Sequence, residues 1–414
     1  MGRASGNAID ALDKIVVQPI DVSELVACLK RIRASIQHWT REKGARGYLD
    51  FIAPIIAPSM EAGIAASEDR HAMSADAAPD ALWSRLYDLA VQVRELTPWE
   101  WMKEADVFGV EMPGTRETIF VSVMGARGEY FAVAVYPHAD AVRAFWALEN
   151  DDEAPPERIL EISQIHASFE DARHLESEDR RVLKRLGLSF RGKSWPIFRS
   201  YRPGFAPWFL ELHEAEMLCA ALEQLIEVAP RVRANPSLLW PGGGVDACLV
   251  RVARGGGAPA DWADEFRKTP ASAGDALYIE LDPEQIAEYR SLPQARNDFE
   301  MDFFLLQAPV AEGNGRPRLP YVLMLVESGT GLVLAHEIVM LETSMRDMWA
   351  GMPARLTSLF INIGVRPKRL TVRQSPLAVV AQALSQALGF ELRLQQKLHN
   401  SDRAKTGLVR FMRA

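Results

Sequence analysis

Cysteine is scarce in this sequence: Cys28, Cys219 and Cys248 are the only three in 414 residues. Their number is odd, and no two of them lie at the spacing of a metal-binding or redox pair. This scarcity argues against a secreted scaffold stapled by disulfides and against a cysteine-based zinc site. We therefore expect buried thiols in the reducing environment of the cytoplasm.

Long apolar runs are missing as well. The most apolar stretch near the start, residues 51–66, is interrupted by Pro54, Pro58 and Glu61. A spanning helix needs about 20 consecutive apolar residues. No basic segment followed by an apolar one opens the chain, as it would in a secretory leader. We expect a cytoplasmic protein that makes no contact with a membrane.

The sequence also lacks an excess of positive charge. The chain has 47 Lys and Arg against 55 Asp and Glu, a net charge of −8, which opposes general attraction to nucleic-acid phosphates. Residues 366–414 differ, because they hold ten Lys or Arg and only two acids, Glu391 and Asp402. This basic segment is either an anion-binding surface or an ordinary solvent-exposed surface whose charge balances that of the acidic rest of the chain. Nucleic acid is therefore expected as a partner only through residues 366–414.

Motifs that mark cofactors and metals are also absent. The glycine clusters at 242–244 and 255–257 lack the spacing of phosphate-binding loops, so we interpret them as turns. The segment "HEAEM" has Met217 where a zinc protease carries its second histidine, and the eight histidines form no pair at ligand spacing. The sequence predicts no cofactor, no metal ligand and no catalytic residue. A site assembled from distant residues stays open.

The composition is that of a soluble globular protein, with 48% hydrophobic and 25% charged residues. At about 100 to 200 residues a domain, the length indicates two or three domains. We predict an α+β protein with a helical N-terminal segment and linker over 1–78, a mixed α+β domain over 79–232 and a C-terminal α/β domain over 233–414. The boundaries follow a polar, Ala-rich stretch before Pro79 and the Gly-rich turns after Pro230.

Hydrophobic periodicity predicts the elements inside these domains. In the middle domain we expect helices at 81–96, 139–148, 177–186 and 212–228. Strands are expected at 106–112, 117–125 and 129–137, between the first two helices, and at 163–171, between the second and the third. In the C-terminal domain we expect strands at 299–307, 321–327, 332–340, 369–372 and 390–394 and helices at 343–362 and 376–388.

The stretch "GKSWPIFRSYRPGFAPWF", residues 192–209, holds six aromatics, three prolines and three cations. One interpretation is a rigid binding surface that stacks on a ring or a partner side chain. The other is that the aromatics fill a seam between domains while the arginines stack on them or pair with acids. We favour the second, because so many exposed aromatics would promote association. The candidate binding residues here are Trp195, Arg199, Tyr201, Arg202 and Trp208.

The predicted order of elements from 299 to 394 is strand, hairpin, helix, strand, helix, strand. This order resembles the RNase H-like fold of integrases and transposases. The resemblance implies that carboxylates from the first strand, the fourth strand and a late helix hold two divalent metals for phosphoryl transfer. Asp302 lies where the first acid is implied, with Glu300 on the same strand face, whereas Arg373 or Gln374 stands in place of the second.

The cation at the second position changes what the resemblance implies. A positive charge repels the divalent ions that the two-metal reaction must collect. Asp402 is the only acid after Glu391, so it is the candidate for the late-helix ligand, beside Arg403 and Lys405. The domain is then an inactive relative of those enzymes, and Arg373 is a candidate binding residue.

A second resemblance covers residues 82–394. The segments "LWSRLYDLAVQVRELTPWEWM", "DVFGVEMPGTRETIFVSVMGARGEYFAVAVY" and "RPKRLTVRQSPLAVVAQALSQALGFEL" are similar to a family of uncharacterised bacterial proteins built from two domains of unknown function. This resemblance implies a bacterial, cytoplasmic protein and no particular mechanism. We therefore expect a non-enzymatic binding or protein-interaction module with an unknown protein or small-molecule partner. The alternative is a metal-dependent nucleic-acid phosphoryl-transfer enzyme or its inactive descendant.

Overall fold

The computed structural model describes residues 20–21, 79–128, 130–150, 156–240, 247–254, 261–268, 282–311, 315–373 and 375–412. The chain divides into two compact units. Of the described residues, those from 79 to 268 belong to the first unit, and Ile20–Asp21 belong with those from 282 onward to the second, with a boundary between Gly274 and Asp275. Within residues 1–78, the structure describes only Ile20–Asp21, which form strand β1. The helices and the linker that we predicted there lie outside the described residues.

A seven-stranded sheet forms the centre of the first unit. Its strands are β2 (Phe108–Glu111), β3 (Thr118–Met124), β4 (Ala132–Tyr136), β5 (Gln164–Glu170), β6 (Trp195–Tyr201), β7 (Ala247–Arg254) and β8 (Asp261–Lys268). From edge to edge the order is β6-β5-β4-β3-β2-β7-β8. Neighbouring strands are antiparallel except β2 and β7, which are parallel. Strands β7 and β8, which follow the predicted boundary at residue 232, belong to this sheet.

Four helices accompany the sheet: α1 (Asp80–Leu96), α2 (Ala139–Glu149), α3 (Ser177–Leu186) and α4 (Leu212–Ala234). Short 3-10 helices lie at Pro98–Glu100, Pro156–Glu161 and Ala172–His174. The four helices predicted from periodicity are confirmed, the last of them six residues longer than expected. Within the described part of the chain, no helix has the length and apolar character needed to cross a membrane.

The two faces of this sheet carry different layers, because successive residues of a strand point to opposite sides. Val133 and Val135 of β4 belong to the main core, which they share with α1 and α4. Tyr136 points to the other side, where the ring of Phe145 from α2 stacks on it with centroids 4.9 Å apart. Helices therefore pack on both faces of the sheet.

The strand β6 is a difference from the sequence prediction, which treated residues 192–209 as a connection. Pro196 cannot donate a ladder hydrogen bond and so weakens the strand signal. The strand nevertheless forms because it lies at the edge of the sheet, where only its β5 side must pair. The aromatic stretch therefore begins as part of the sheet.

The second unit contains β9 (Phe299–Leu305), β10 (Val310–Ala311), β11 (Tyr321–Glu327), β12 (Val333–Val339), β13 (Arg369–Arg373) and β14 (Glu391–Gln395). Five of these form a sheet of order β12-β11-β9-β13-β14. Strand β11 is antiparallel to β12 and β9, whereas β13 is parallel to β9 and β14. Strand β10 pairs in parallel with β1. All five strands predicted here are confirmed, with small shifts at their ends.

Helices cover both faces of this second sheet: α5 (Pro283–Ser291), α6 (Met345–Ile363), α7 (Pro376–Leu388) and α8 (His399–Met412). Leu323 and Leu325 of β11 share a core with α5, α6 and α7, whereas Val322 and Met324 face a smaller core beside Leu408 of α8. Successive side chains of β11 therefore pack into two different cores, one on each face of the sheet. Both units combine helices with a mixed sheet, which confirms the α+β class.

The turn "SGTG", residues 328–331, joins β11 to β12 and lies close to α8. Gly331 has φ +74°, a backbone conformation that favours glycine. A side chain at this position would also collide with Arg403 and Asn400 of α8. The glycine therefore allows both the turn and the close approach of α8.

Candidate functional site

Charged side chains from three elements of the second unit meet at Arg373, the last residue of β13. Nη2 of Arg373 lies 3.0 Å from Oδ2 of Asp302 in β9 and 2.6 Å from Oδ1 of Asp402 in α8. Its Nη1 donates to the carbonyl oxygen of Gln396 at 2.7 Å. One guanidinium thus joins the sheet, the helix and the loop between β14 and α8.

The sheet register explains why Asp302 and Arg373 are neighbours although they are 71 positions apart in sequence. Strands β9 and β13 are parallel, with Glu300 opposite Thr371 and Met301 opposite Val372. The next positions along the two strands are Asp302 and Arg373. Because paired residues of adjacent strands point to the same side, their side chains meet.

The second carboxylate of β9, Glu300, binds the start of α8. Its Oε2 accepts the backbone N–H groups of Asn400 and Ser401 at 3.0 and 2.9 Å, and its Oε1 accepts Nδ2 of Asn400 at 3.2 Å. The first N–H groups of a helix have no partner within the helix and favour an anion. Glu300 therefore acts as an anchor for α8.

The environment keeps Arg373 charged. Burial acts to lower the pKa of its guanidinium, but the hydrogen bonds and charges of Asp302 and then Asp402 outweigh that effect, so the pKa is raised. A guanidinium is a planar cation that does not lose its proton in proteins. The cluster therefore contains a permanent positive charge between two carboxylates.

This arrangement restricts the chemistry available at the cluster. The carboxylates of Asp302 and Asp402 bind Arg373, and that of Glu300 binds the N-terminus of α8. Over the described ranges, no group of three or more His, Cys, Asp or Glu side chains is placed to hold a metal ion. The cluster is therefore suited to fixing α8 on the sheet. Gln374, the other residue at the predicted second-acid position, lies outside the described residues.

The candidate arginines of residues 192–209 lie in the first unit and are bound to acids. Arg199 donates two hydrogen bonds to Asp179 of α3, at 2.9 and 2.6 Å, and one to Glu176 at 3.1 Å. Its guanidinium also lies over the ring of Phe209, 4.8 Å from the centroid. Burial acts to lower the pKa of Arg199, but Asp179 and Glu176 raise it above its usual value. Arg199 is thus a buried, charged part of the core.

Arg202 has a similar arrangement closer to solvent. Its Nη2 lies 2.8 Å from carboxylate oxygens of both Glu211 and Glu214 at the start of α4. Glu214 also accepts the hydroxyl of Ser200 at 2.6 Å. The arginine and the serine therefore fix the N-terminus of α4 against β6.

The candidate aromatics of this stretch pack inside the same unit. Trp195 is half-buried, with its ring edge-on to Phe190 at 5.7 Å. Tyr201 is buried, and its ring lies 4.6 Å from that of His166. Trp208 is half-buried and pairs through its backbone with Ser200 of β6. These contacts belong to the core of the first unit, whereas the seam that we expected was one between domains. Arg373 belongs to the other unit.

Sequence reasoning missed a buried polar group around His166 of β5. Its Nε2 lies 3.0 Å from Oε1 of Gln164, and its Nδ1 lies 3.5 Å from the hydroxyl of Tyr130. Burial lowers the pKa of His166 to about 3, so the ring is neutral at pH 7. His174 instead binds Glu170 at 2.6 Å. Alternate residues of a strand point to the same face of a sheet. This alternation in the predicted strand at 163–171 was the one available signal in the sequence that His166 faces inward.

Comparison with known proteins matches each unit to a different family model. Residues 83–251 match a domain of unknown function (DUF7309), and residues 285–409 match another domain of unknown function (DUF6930). Neither the curated proteins nor the solved structures give a match. The two matches fall on either side of the boundary at Gly274. The first unit therefore contains the match to DUF7309, and the second unit contains the match to DUF6930.

Proposed function

We propose that this is a non-enzymatic binding or interaction protein of the bacterial cytoplasm, whose second unit is an inactive relative of the RNase H-like enzymes. The observation that carries the proposal is the position of Arg373. Its guanidinium is hydrogen-bonded to Asp302 and Asp402 at 3.0 and 2.6 Å. These are the two carboxylates that the resemblance implies as metal ligands, and a cation is bound to both.

The sheet of the second unit supports the relationship to that fold. The resemblance implies ligands from the first strand, the fourth strand and a late helix, which must be close in space to share metals. Here β9 and β13 are the first and fourth strands of the five-stranded sheet, they lie side by side, and α8 packs against β9. We equate Asp302, Arg373 and Asp402 with the three implied positions. A cation at one of the three favours a loss of catalysis.

The basic segment at 366–414 gives little support to a nucleic-acid partner. Arg369 pairs with Asp298 and Glu391, and Arg373 pairs with Asp302 and Asp402. Acids outside the segment therefore neutralise part of its charge. Phosphate binding needs several free cations on one surface, and paired arginines supply fewer than the sequence count indicates. We accordingly favour a protein or a small molecule as the partner.

The proposal predicts that the protein does not cleave nucleic acids. The purified protein is incubated with labelled single- and double-stranded DNA and RNA in magnesium or manganese, beside an Asp302→Asn variant. We expect no metal-dependent cleavage by either protein. Cleavage by the parent that the variant lacks would show an active two-metal site and would contradict the proposal.

A second experiment tests whether Arg373 is what keeps metal out. Arg373→Asp places a third carboxylate beside Asp302 and Asp402, and three carboxylates are a ligand set that Mn²⁺ accepts. We expect this variant to bind Mn²⁺ in calorimetric titrations at least tenfold more tightly than the parent. Arg393→Asp is the matched control, because it makes the same change of charge at an arginine of β14 that pairs with one acid, Glu391, and so leaves two carboxylates together. Equal gains in the two variants would show a general charge effect and no special position for Arg373.

A further inference from the structure

Strand β8 forms one edge of the seven-stranded sheet in the first unit. An edge strand presents unpaired N–H and C=O groups, which native proteins usually shield with a proline, a bulge, a covering segment or a very short strand. Strand β8 has eight residues without proline or glycine, and it pairs with β7 one to one from Asp261 to Lys268. Among the described strands, β7 is its one neighbour, so its other side can accept a further strand.

The other edges of the two large sheets differ from β8. At β6, Pro196 lies within the strand, and Ser200 exchanges two backbone hydrogen bonds with Trp208, at 2.8 and 2.9 Å, on the side away from β5. At β12, the register with β11 shifts beside Val326, and such an irregularity twists an edge away from flat pairing. Strand β14 has five residues. Of these four edges, β8 therefore presents the longest regular one.

Aromatic surface accompanies this edge. Phe266 of β8 is 49% exposed, although phenylalanine is among the residues most often buried. Trp262 lies four positions earlier, on the same face of the strand, and is half-buried. The two rings supply apolar area that a further strand would cover.

The charges of β8 are ordered along the strand. Its sequence, "DWADEFRK", has its three acids within the first five residues and its two bases at the end. Charged side chains protect an edge when an approaching strand brings charge of the same sign. A parallel second copy of β8 would do so, whereas an antiparallel copy brings its bases to the acids of the first. The order of charges therefore opposes parallel pairing of two copies and favours antiparallel pairing.

We propose that β8 pairs antiparallel with β8 of a second copy of this chain, so that the first units of two copies join edge to edge. Directly opposite residues of antiparallel strands point to the same face of a sheet, so a two-fold arrangement sets one residue of β8 opposite itself. With Asp264 at that position, Trp262 lies opposite Phe266 of the second copy, and Asp261 lies opposite Arg267, each pair occurring twice. Aromatic pairs and opposite-charge pairs are cross-strand contacts that stabilise a sheet.

The choice of residue at the two-fold axis follows from charge. Asp264 or Glu265 at the axis gives the longest overlap of the two strands, but Glu265 there would set no acid opposite a base. Asp264 in each copy binds Arg231 of α4 and Arg251 of β7. Four guanidinium groups would therefore accompany the two carboxylates that meet at the axis, and they compensate the repulsion between them.

This inference goes beyond the proposed function and does not depend on it. The dimer involves β8 in the first unit, whereas the nuclease and Mn²⁺ experiments test Asp302 and Arg373 in the second. Failure of either set of experiments therefore leaves the other result readable.

The first test is analytical ultracentrifugation of the full chain at micromolar concentrations, where we expect a reversible equilibrium between monomer and dimer. Asp261→Lys sets two cations opposite each other at two places. Like charges across an interface are strongly unfavourable, so the dimer Kd should rise about tenfold or more. Glu95→Lys is the matched control, because Glu95 is an exposed acid of α1 in the same unit, and it should keep the Kd of the parent.

A second variant, Phe266→Lys, removes the exposed ring and places a lysine on the edge strand, which native sheets use to prevent pairing. We expect it to be monomeric at concentrations where the parent is a dimer. Leu394→Lys makes the same kind of change on the edge strand β14, where Leu394 is 52% exposed, and should leave the dimer intact. Urea unfolding of each variant checks that its fold is kept.

Cross-linking tests the register. Ala263 lies opposite Glu265 of the second copy, and Cα atoms of opposite residues are about 4.5 to 5.5 Å apart, within the range of a disulfide. A mixture of the Ala263→Cys and Glu265→Cys proteins should therefore form a disulfide-linked dimer on oxidation, which neither protein forms alone. The parent controls for its native cysteines.

Three results would overturn the proposal. The first is a parent that stays monomeric at micromolar concentrations. The second is a dimer that Asp261→Lys and Phe266→Lys leave unchanged, or that Leu394→Lys disrupts instead. The third is a cross-link that forms no better in the mixture than in either cysteine variant alone.

Discussion

Each unit contains an arginine held by two acids, and the two differ in how far they are enclosed. In the first unit, the side chain of Arg199 is 9% exposed, and its partners Asp179 and Glu176 are 9% and 47% exposed. In the second unit, the side chain of Arg373 is 22% exposed, and its partners Asp302 and Asp402 are 5% and 42% exposed. Arg199 is therefore a cation of the core, whereas Arg373 lies at a junction that solvent reaches.

This difference in exposure bears on the role of each arginine. Arg199 stacks on Phe209 and makes two hydrogen bonds to one carboxylate, a geometry that leaves its guanidinium closed to a ligand. Arg373 bridges acids from two elements and has no second bond to either. The first pair specifies how α3 packs on β6. The second arginine connects β13 with β9 and α8.

The largest effect is expected for Arg199→Ala. Removal of the cation leaves Asp179 buried without its partner, and breaking a buried pair in this way costs about 3 to 5 kcal/mol. Urea unfolding at pH 7 measures the loss. The control is Arg85→Ala, because Arg85 pairs with Glu223 at the surface, and exposed pairs contribute about 0 to 1 kcal/mol. Similar losses in the two variants would remove the distinction between a core cation and a surface one.

Acid should weaken the first unit through a group that burial keeps uncharged. The pKa of His166 is lowered to about 3, below the value of about 6.5 for an unfolded histidine. Between these pH values the unfolded chain binds a proton that the folded chain does not. The free energy of unfolding therefore falls as pH decreases from 6.5 towards 3, by about 1.4 kcal/mol per pH unit.

The variant His166→Gln removes this titration and keeps a side chain that can hydrogen-bond to Gln164. Relative to the parent, we expect it to gain about 2 kcal/mol of unfolding free energy when the pH is lowered from 7 to 5. Urea unfolding of both proteins at the two pH values measures the gain. Parallel losses of stability on acidification would show that His166 is protonated in the folded state. In the same unit, Arg199 keeps its charge because acids face it, and His166 has an amide and a phenol instead.

Much of the second unit follows from hydrophobic periodicity. Its five sheet strands and the helices α6 and α7 are long or strongly patterned segments, and the sequence predicts each of them. The helices α5 and α8 are not predicted. In α8 the apolar positions are few, and the helix depends on Glu300 at its start and on the small core around Leu408. These contacts join residues that are far apart in the sequence, so the local pattern of apolar residues does not indicate them.

The candidate site could be predicted only in part. The resemblance identifies Asp302 and Arg373 as equivalent positions on the first and fourth strands, and Asp402 as the late-helix acid. The hydrogen bonds among them depend on the register of β9 against β13 and on the seating of α8, which sequence spacing does not contain.

The smallest effect is expected for Arg373→Ala, and it tests the comparison most directly. Asp302 would lose its charged partner, but Asp402 would turn to solvent, so water replaces part of the lost interaction. We expect a loss of about 1 to 2 kcal/mol in urea unfolding at pH 7, below that of Arg199→Ala, since a hydrogen bond to a charged group contributes about 1.5 to 3 kcal/mol. The double variant Arg373→Ala with Asp302→Asn should recover part of the loss, because the unpaired charge is then gone. A loss as large as that of Arg199→Ala, with no recovery in the double variant, would show that Arg373 is a core residue like Arg199. The position of Arg373 between Asp302 and Asp402 would then be explained by packing alone, without the metal site that the RNase H-like resemblance implies.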